Sequence, residues 1–365
     1  MLGKVREIQY IYEVKTALIT GSTGLIGNES VRFLHDKGYK VIGIDNNLRK
    51  YFFGNNGDTT PVKNELLSQY KNYVHVQIDI RNLEELEKVF LDYGRDIEVI
   101  IHAAAQPSHD WAATEVFTDF GVNANGTLNI LEMFRKYSAG ATFIYMSTNK
   151  VYGDFTNNFN FDEGEMRWNL SKESQYVANG FDESIPVDGS LHSLFGVSKL
   201  SGDLLVQEYG RYYSLKTTCL RGGCLSGPTH KGAELHGFLS YLVRCAVAGD
   251  KYTIFGYKGK QVRDNLHSAD LVAAFWEIIK KPGIAQVYNV GGTVKSNISI
   301  LEAIKYLDSL GFKLNYEISE ENRIGDHIWW ISDMNKFKGD YPNWDISKNS
   351  YNIIDETIEA YLKSK

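Results

Sequence analysis

The chain has few cysteines, no basic block and no long apolar run, and each scarcity excludes something. Its three cysteines, Cys219, Cys224 and Cys245, form no close metal-type pair, and their odd number suits reduced thiols in cytoplasm. No metal site is expected. No apolar run approaches the roughly 18 residues that span a bilayer, and Met1–Glu7 lacks an apolar signal core followed by a cleavage site. The 39 basic and 45 acidic residues leave a net charge of −6. Neither nucleic acid nor an anionic membrane is therefore an expected partner, although local basic pockets for phosphates fit that balance. No internal repeat or low-complexity linker divides the chain. Its 365 residues can bury a large core, as one α/β unit or two intimate domains.

What is present is a glycine turn between a strand and a helix, Lys15-Thr-Ala-Leu-Ile-Thr-Gly21-Ser-Thr-Gly24-Leu-Ile-Gly27. Leu18 and Ile19 close a short apolar run that reads as a buried strand. Leu25, Ile26, Val31 and Leu34 are spaced to share one helix face, with Gly38 as the stop. Strand, turn and helix in that order present backbone N–H groups and a positive helix end to an anion. Glycine suits the turn because a Cβ would hold a pyrophosphate off the backbone. A second strand, Lys40–Ile44, runs into Asp45, 24 residues after Gly21. An acid there accepts hydrogen bonds from ribose hydroxyls and repels a 2′-phosphate, which favours NAD over NADP.

The rest alternates in the same way. Residues 46–75 are rich in Asn and Gly and read as a loop near the ribose. Tyr73–Ile78 reads as a strand. Asn82 and Glu85 make a capping box for a helix whose buried stripe is Leu83, Leu86, Phe90 and Tyr93. Ile97–His102 is the next strand, followed by a small-residue turn, Ala103-Ala104-Ala105-Gln106, over which a dinucleotide can pass closely. Thr142–Met146 is another strand, ending at Ser147-Thr148. Residues 155–184 are polar, Asn-rich and dotted with aromatics, a surface insertion or a functional lid. Gly196–Tyr212 is helical, with Leu200, Leu204, Val206 and Tyr209 as its apolar positions. Leu215–Leu220 is a sixth strand, and helices follow at Phe238–Val247 and Ser268–Ile279. Together these predict an α/β fold, a doubly wound parallel Rossmann-type sheet with a smaller interleaved C-terminal substrate domain. The expected division is an N-terminal extension over 1–14, an NAD-binding domain over 15–220 with returns near 262–292, and a substrate domain over 221–365.

From about Lys15 to Trp344 these motifs resemble the extended short-chain dehydrogenase/reductase family, the NAD-dependent nucleotide-sugar epimerases and dehydratases. The resemblance implies an NAD cradle of Gly21, Thr23, Gly24, Leu25, Ile26 and Gly27, with Asp45 and Asn46 at the ribose. It implies Asp79 and Ile80 at the adenine. Ala103, Ala104, Ala105, Gln106 and Asn123 would lie along the cofactor. Ser147-Thr148-Asn-Lys-Val-Tyr-Gly153 matches the segment with the catalytic Ser or Thr, which maps to Thr148. Lys199 falls on the lysine of the family's Tyr-x-x-x-Lys pair. Lys150, Tyr152, Arg263, Arg323 and Asp326 would bind substrate, the Arg263-Asp264 and Arg323/Asp326 positions gripping a pyrophosphate. Within the family the likeness is nearest to the branch that epimerises CDP-hexoses at C2. Both share an unusually long spacing from the Thr to the Tyr position, here 47 residues from Thr148. Many family dehydratases carry Asp-Glu after the catalytic Thr. This chain carries Asn149-Lys150, which argues against 4,6-dehydration.

The resemblance departs at Phe195-Gly-Val-Ser-Lys199. Residues four apart share a helix face, so the family's lysine lowers the pKa of its tyrosine and holds the nicotinamide ribose. A phenyl ring has neither donor nor acceptor. Phe195 is an engineered Tyr→Phe trap, the mark of a protein that binds without redox turnover, or a sign that the base has moved. The last is favoured, with His109 and His192 as candidates and Tyr152, Cys224 and Lys150 as weaker ones. The expected activity is NAD-dependent epimerisation of a nucleotide-linked hexose, a CDP-hexose above all, by transient oxidation to a ketone. The alternatives are a nucleotide-sugar dehydrogenase or reductase, and a non-catalytic binding protein. A homodimer is the family habit.

Overall fold

The computed structural model describes residues 15–230, 232, 237–322 and 324–363. The expected N-terminal extension over 1–14 and the expected substrate ligand Arg323 lie outside the described residues. Seven strands form the main sheet: β1 (Thr16–Thr20), β2 (Lys40–Ile44), β3 (Tyr73–Val76), β4 (Ile97–His102), β5 (Thr142–Thr148), β6 (Lys216–Gly222) and β7 (Gln286–Val290). All pair in parallel in the order β7-β6-β5-β4-β1-β2-β3. The strands are apolar on both faces, as β1 shows by burying all five residues, because helices cover both sides. One face carries α1 (Leu25–Asp36) and α5 (Ser268–Lys280). The other carries α2 (Leu83–Tyr93), α3 (Gly126–Tyr137) and α4 (Leu194–Tyr213). Strand order switches direction between β1 and β4, the chain building outward through β2 and β3 and then crossing back to β4, and a crevice opens at the carboxyl ends there.

The expected doubly wound sheet is present. A smaller layer sits beyond its carboxyl edge, made of strands Cys224–Ser226, Val262–His267, Asn297–Ser299 and Trp329–Trp330. The pair Lys251–Phe255 and Asn315–Ser319 lies apart from it. The chain enters this layer after β6, returns for α5 and β7, and leaves again.

Three local expectations need correction. Residues 46–75 are not a loop: helices occupy Leu48–Phe53 and Thr60–Gln69. Asn82 does cap α2 by accepting from Glu85 N at 3.2 Å, yet Leu83 is exposed and Val89 takes its place in the buried stripe. On α4, Leu204 is exposed while Lys199 and Asp203 are buried, because that face covers polar groups of the site. Residues 155–184, expected as a surface insertion or a functional lid, are anchored to the smaller layer. Their Phe159, Tyr176 and Phe181 pack in a ring cluster that reaches Trp329 and Trp330, which aromatics achieve without helical or strand period.

Candidate active site

A cavity of about 450 Å³ follows the crevice from the glycine turn to the smaller layer. Its first end is a cradle shaped by what a side chain would strike. A Cβ on Gly21, which has φ +69°, would stand 2.8 Å from Ala104 N, and one on Gly27 would stand 1.9 Å from Gly21 O. Neither is tolerable, so the turn, α1 and the Ala103–Ala105 segment meet backbone to backbone. Asp45 caps the second strand and fixes the turn: its Oδ2 accepts from Thr23 N at 3.0 Å and its Oδ1 from Asn47 N at 2.7 Å. Each carboxylate oxygen keeps a second lone pair for a ribose hydroxyl. The residues present therefore fit a dinucleotide. Gly21, Thr23, Gly24, Leu25, Ile26 and Gly27 all line this end. So do Asp45, Asn46, Asp79 and Ile80, with Ala103, Ala104 and Ala105 along the floor. Asp79 is fixed by Arg81 and by Asn46 Nδ2 at 2.9 Å.

Gln106 and Asn123 do not line the cavity. They lie beneath it, both buried, and hold each other: Gln106 N donates to Asn123 Oδ1 at 2.9 Å and Asn123 Nδ2 donates back to Gln106 O at 3.0 Å. These bonds fix the segment that follows the Ala103–Ala105 floor of the cavity.

The middle of the cavity gathers Thr148 from the end of β5, Phe195 and Lys199 from α4, and His109 from the helix His109–Thr114. Ser193 caps α4 by accepting from Gly196 N at 3.1 Å. That cap sets Phe195 and Lys199 one turn apart on the cavity side. Lys199 Nζ donates to Met146 O at 2.6 Å and lies 4.3 Å from the centre of the Tyr145 ring. Burial lowers its pKa to about 8, against the charges of Asp203 and Asp119. The rings of His109 and Phe195 touch, centroids 4.9 Å apart and planes at 50°.

The far end holds Lys150, Arg263 and Asp326. Lys150 Nζ and Arg263 Nη2 both donate to one oxygen, Asp326 Oδ1, each at 2.8 Å, and Lys150 also donates to Gly325 O. Burial alone would raise the Asp326 carboxyl, but Arg263 and Lys150 overcome that and hold it well below the usual carboxylate range. Two cations against one carboxylate leave a positive surplus suited to a diphosphate. Cys224 lines the cavity too, its thiol pushed up to about 12 by burial.

Three expected site residues are not brought there. His192 lies outside the cavity lining, its Nε2 2.8 Å from Val151 O and its Nδ1 3.1 Å from Ser190 O. A neutral imidazole donates to only one of these carbonyls, and either bond ties the ring to loop backbone. Tyr152 is fully buried, donating to Asn289 Oδ1 at 2.8 Å and accepting from Arg221 Nη1 at 3.0 Å. Asp264, beside Arg263, turns inward and accepts from Ser332 N at 2.8 Å. Strand alternation explains that reversal.

Sequence reading also missed residues. Arg49 lines the cavity from the helix Leu48–Phe53, its pKa lowered to about 10 by burial. Asp119, four residues before Asn123, sits under the site and accepts from Gln106 Nε2 at 2.8 Å and Asn123 Nδ2 at 3.0 Å. Its signal was an acid and an amide at helical spacing. Among the described residues no His, Cys, Asp or Glu cluster could hold a metal.

The NAD dependent epimerase/dehydratase family model matches residues 17–291. The chain is 32% identical over 298 residues to the CDP-paratose 2-epimerase of Salmonella typhi, covering 80% of this chain and 83% of that one. It is 26% identical over 370 residues to the dTDP-glucose 4,6-dehydratase of Escherichia coli, covering 95% and 94%. In fold it is similar to a tyrosine-to-phenylalanine mutant of UDP-glucuronic acid 4-epimerase from Bacillus cereus, solved with UDP-4-deoxy-4-fluoro-glucuronic acid and NAD. That likeness has a TM-score of 0.76 at 23% identity, over 96% of this chain and 100% of that one. With its glycine cradle, Asp45 at the end of the second strand, and Thr148 and Lys199 on one cavity, the chain belongs to the NAD dependent epimerase/dehydratase family, and its cofactor is NAD.

Proposed function

We propose that the protein epimerises a nucleotide-linked hexose, with a CDP-hexose as substrate, in the cytoplasm and through a transient keto-sugar. NAD, when bound, supplies a hydride acceptor that returns the hydride within the same turnover. The chain's own groups do the rest: Thr148 donates a hydrogen bond to the reacting oxygen, Lys199 holds positive charge beside the nicotinamide ribose, and Lys150, Arg263 and Asp326 seat the diphosphate end. The observation that carries the reading is the fate of Lys150. Where an acid–base pair for removing water would stand, Lys150 is tied to Asp326 and Gly325 O, and its neighbour Asn149 is buried. Neither can serve as the acid and base of a dehydration. The likeness to the CDP-paratose 2-epimerase supports the CDP-hexose.

Proton NMR of the purified protein with NAD and CDP-linked hexoses in D₂O tests it. A new epimer with no net change in absorbance is expected. Deuterium at the inverted carbon would place a base at an α-hydrogen, and its absence would mean direct oxidation of that carbon. A 4-keto-6-deoxy product would replace the reading with a dehydratase, and tight NAD binding without turnover with a binding protein.

The same reading includes a homodimer. Phe117 is 95% exposed, and Leu128 on α3 and Val197 and Leu204 on α4 are exposed as well, an apolar set that a partner would cover. Sedimentation velocity is expected to give twice the 41.3 kDa chain mass, and a monomer at micromolar concentration would refute it.

A further inference from the structure

We propose that the His109 imidazole accepts the proton of the reacting sugar hydroxyl in place of the family's tyrosine, and that Asp119, acting through Gln106, is its positioning residue. The proposal rests on the epimerase reading above. In the step, the sugar O–H bond breaks and its proton goes to an imidazole nitrogen of His109. The electron pair left on oxygen becomes the second C–O bond as the carbinol hydride departs to the cofactor. Return of hydride and proton regenerates the alcohol.

Geometry narrows the choice among the candidates; the other imidazole in the cavity lining, His230, has its Nδ1 3.1 Å from Ser240 Oγ. Phe195 lacks a proton-accepting atom. Lys199 directs its Nζ at Met146 O, Lys150 is ion-paired to Asp326, Cys224 retains its proton, and His192 is outside the cavity. His109 alone among these candidates brings an imidazole into the cavity, against the very ring whose hydroxyl is missing. The contact of the two rings sets the imidazole plane.

The backbone before His109 is clamped. Ser108 N donates to Gln106 Oε1 at 2.6 Å, and Gln106 Nε2 donates to Ser108 O at 2.8 Å. One amide side chain thus grips both polar groups of the residue preceding His109. Gln106 Nε2 also donates to Asp119 Oδ1 at 2.8 Å. An ionised carboxylate only accepts, so Asp119 fixes which end of the amide faces which Ser108 group. Asn123 Nδ2 ties the same carboxylate to Ser198 Oγ, beside Lys199, at 3.0 Å. On the far side, Trp111 packs on Phe52 with ring centroids 5.5 Å apart, which braces the short helix.

His109→Ala is expected to lower kcat on the CDP-hexose substrate by about 10²–10³-fold, with partial restoration by free imidazole. Adding Phe195→Tyr to His109→Ala should also restore turnover, through a phenol in the vacated space. Asp119→Asn is expected to lower kcat by up to about 10²-fold through misplacement of the imidazole, with KM unchanged. A His109→Ala variant at the wild-type rate overturns the base assignment. So does a loss that neither imidazole nor Phe195→Tyr repairs while NAD and CDP-glucose still bind. A readout independent of turnover is NMR of NAD-loaded protein labelled with ¹⁵N in its histidine rings. The His109 ring signals, identified by their absence in His109→Ala, are expected to shift on addition of CDP-glucose, and unmoved signals overturn the proposal. A wild-type protein inert toward every CDP-hexose would refute the epimerase reading instead, and the ring signals would then decide His109 separately.

Discussion

Asp203→Ala is expected to destabilise the protein by about 3–5 kcal/mol, because it strands a buried cation. Asp203 is fully buried, and Arg221 is 5% exposed. The carboxylate accepts from Arg221 Nε at 3.1 Å and Nη2 at 3.0 Å, from Ser147 Oγ at 2.6 Å and from Gln207 Nε2 at 2.6 Å. Arg221 in turn donates to Tyr152 OH, which donates to Asn289. One ion pair therefore joins α4, the end of β5, β6 and β7. Alanine leaves the guanidinium with the tyrosine oxygen and little access to water. Total stabilities of domains are about 5–15 kcal/mol, so this single change could unfold the protein at 37 °C. The double replacement Asp203→Leu with Arg221→Met removes both charges together and is expected to recover most of the loss. Urea unfolding of Asp203→Ala measures the first cost, and that of Asp203→Leu, Arg221→Met and the double variant closes the cycle. An Asp203→Ala cost below about 1 kcal/mol would show that the pair is not load-sharing in the folded state.

Asp264→Asn is expected to change stability by an amount that depends on pH. Asp264 is fully buried; its Oδ2 accepts from Ser332 N and Thr293 N, and its Oδ1 has no hydrogen-bond partner among the described residues. Burial pushes its carboxyl up to about 6 from an ordinary value of 3.8, against the hydrogen bonds from Ser332 and Thr293. A raised carboxyl pKa means that the folded state binds the proton more tightly than the unfolded chain does. The wild type is therefore favoured by this group below about pH 4. It loses that advantage as pH rises to about 6, by about 3 kcal/mol in total at 1.36 kcal/mol per unit. Asparagine cannot ionise, so the stability of the variant relative to wild type should grow by most of that amount between pH 4 and pH 7. Urea titrations at those two pH values cancel every other ionisation. A difference that does not vary with pH would show that Asp264 titrates normally.

Much of this site was legible because its parts are local. Gly21, Gly24 and Gly27 form one turn, Asp45 ends the adjacent strand, and Phe195 and Lys199 lie one helical turn apart. Helical and strand periods place such residues without tertiary knowledge. What was not legible was tertiary. His192 and Tyr152 belong to chemically able residue types, and nothing local reveals that carbonyls or Arg221 occupy them. Asp264 was paired with Arg263 as a ligand, although neighbours on a strand point to opposite faces. The helices over Leu48–Phe53 and Thr60–Gln69 were hidden by the Asn and Gly between them. Pro61 in the first turn of the second helix was a start signal that composition outweighed.

The late arrival of β7 and α5 bears on how the protein is made. A ribosome that has released Gly222 has supplied six of the seven sheet strands, yet the free edge of β6 has no partner until Gln286–Val290 emerges. Over the same interval α1 lacks the cover of α5, whose Trp276 meets Phe33 at 6.0 Å. Synthesis at roughly 5–20 residues per second leaves that edge open for several seconds. An unpaired, apolar edge of this kind recruits other chains. The nascent protein thus carries an unpaired strand edge while every residue of its glycine turn, Asp45 and the Ala103–Ala105 floor has already been made.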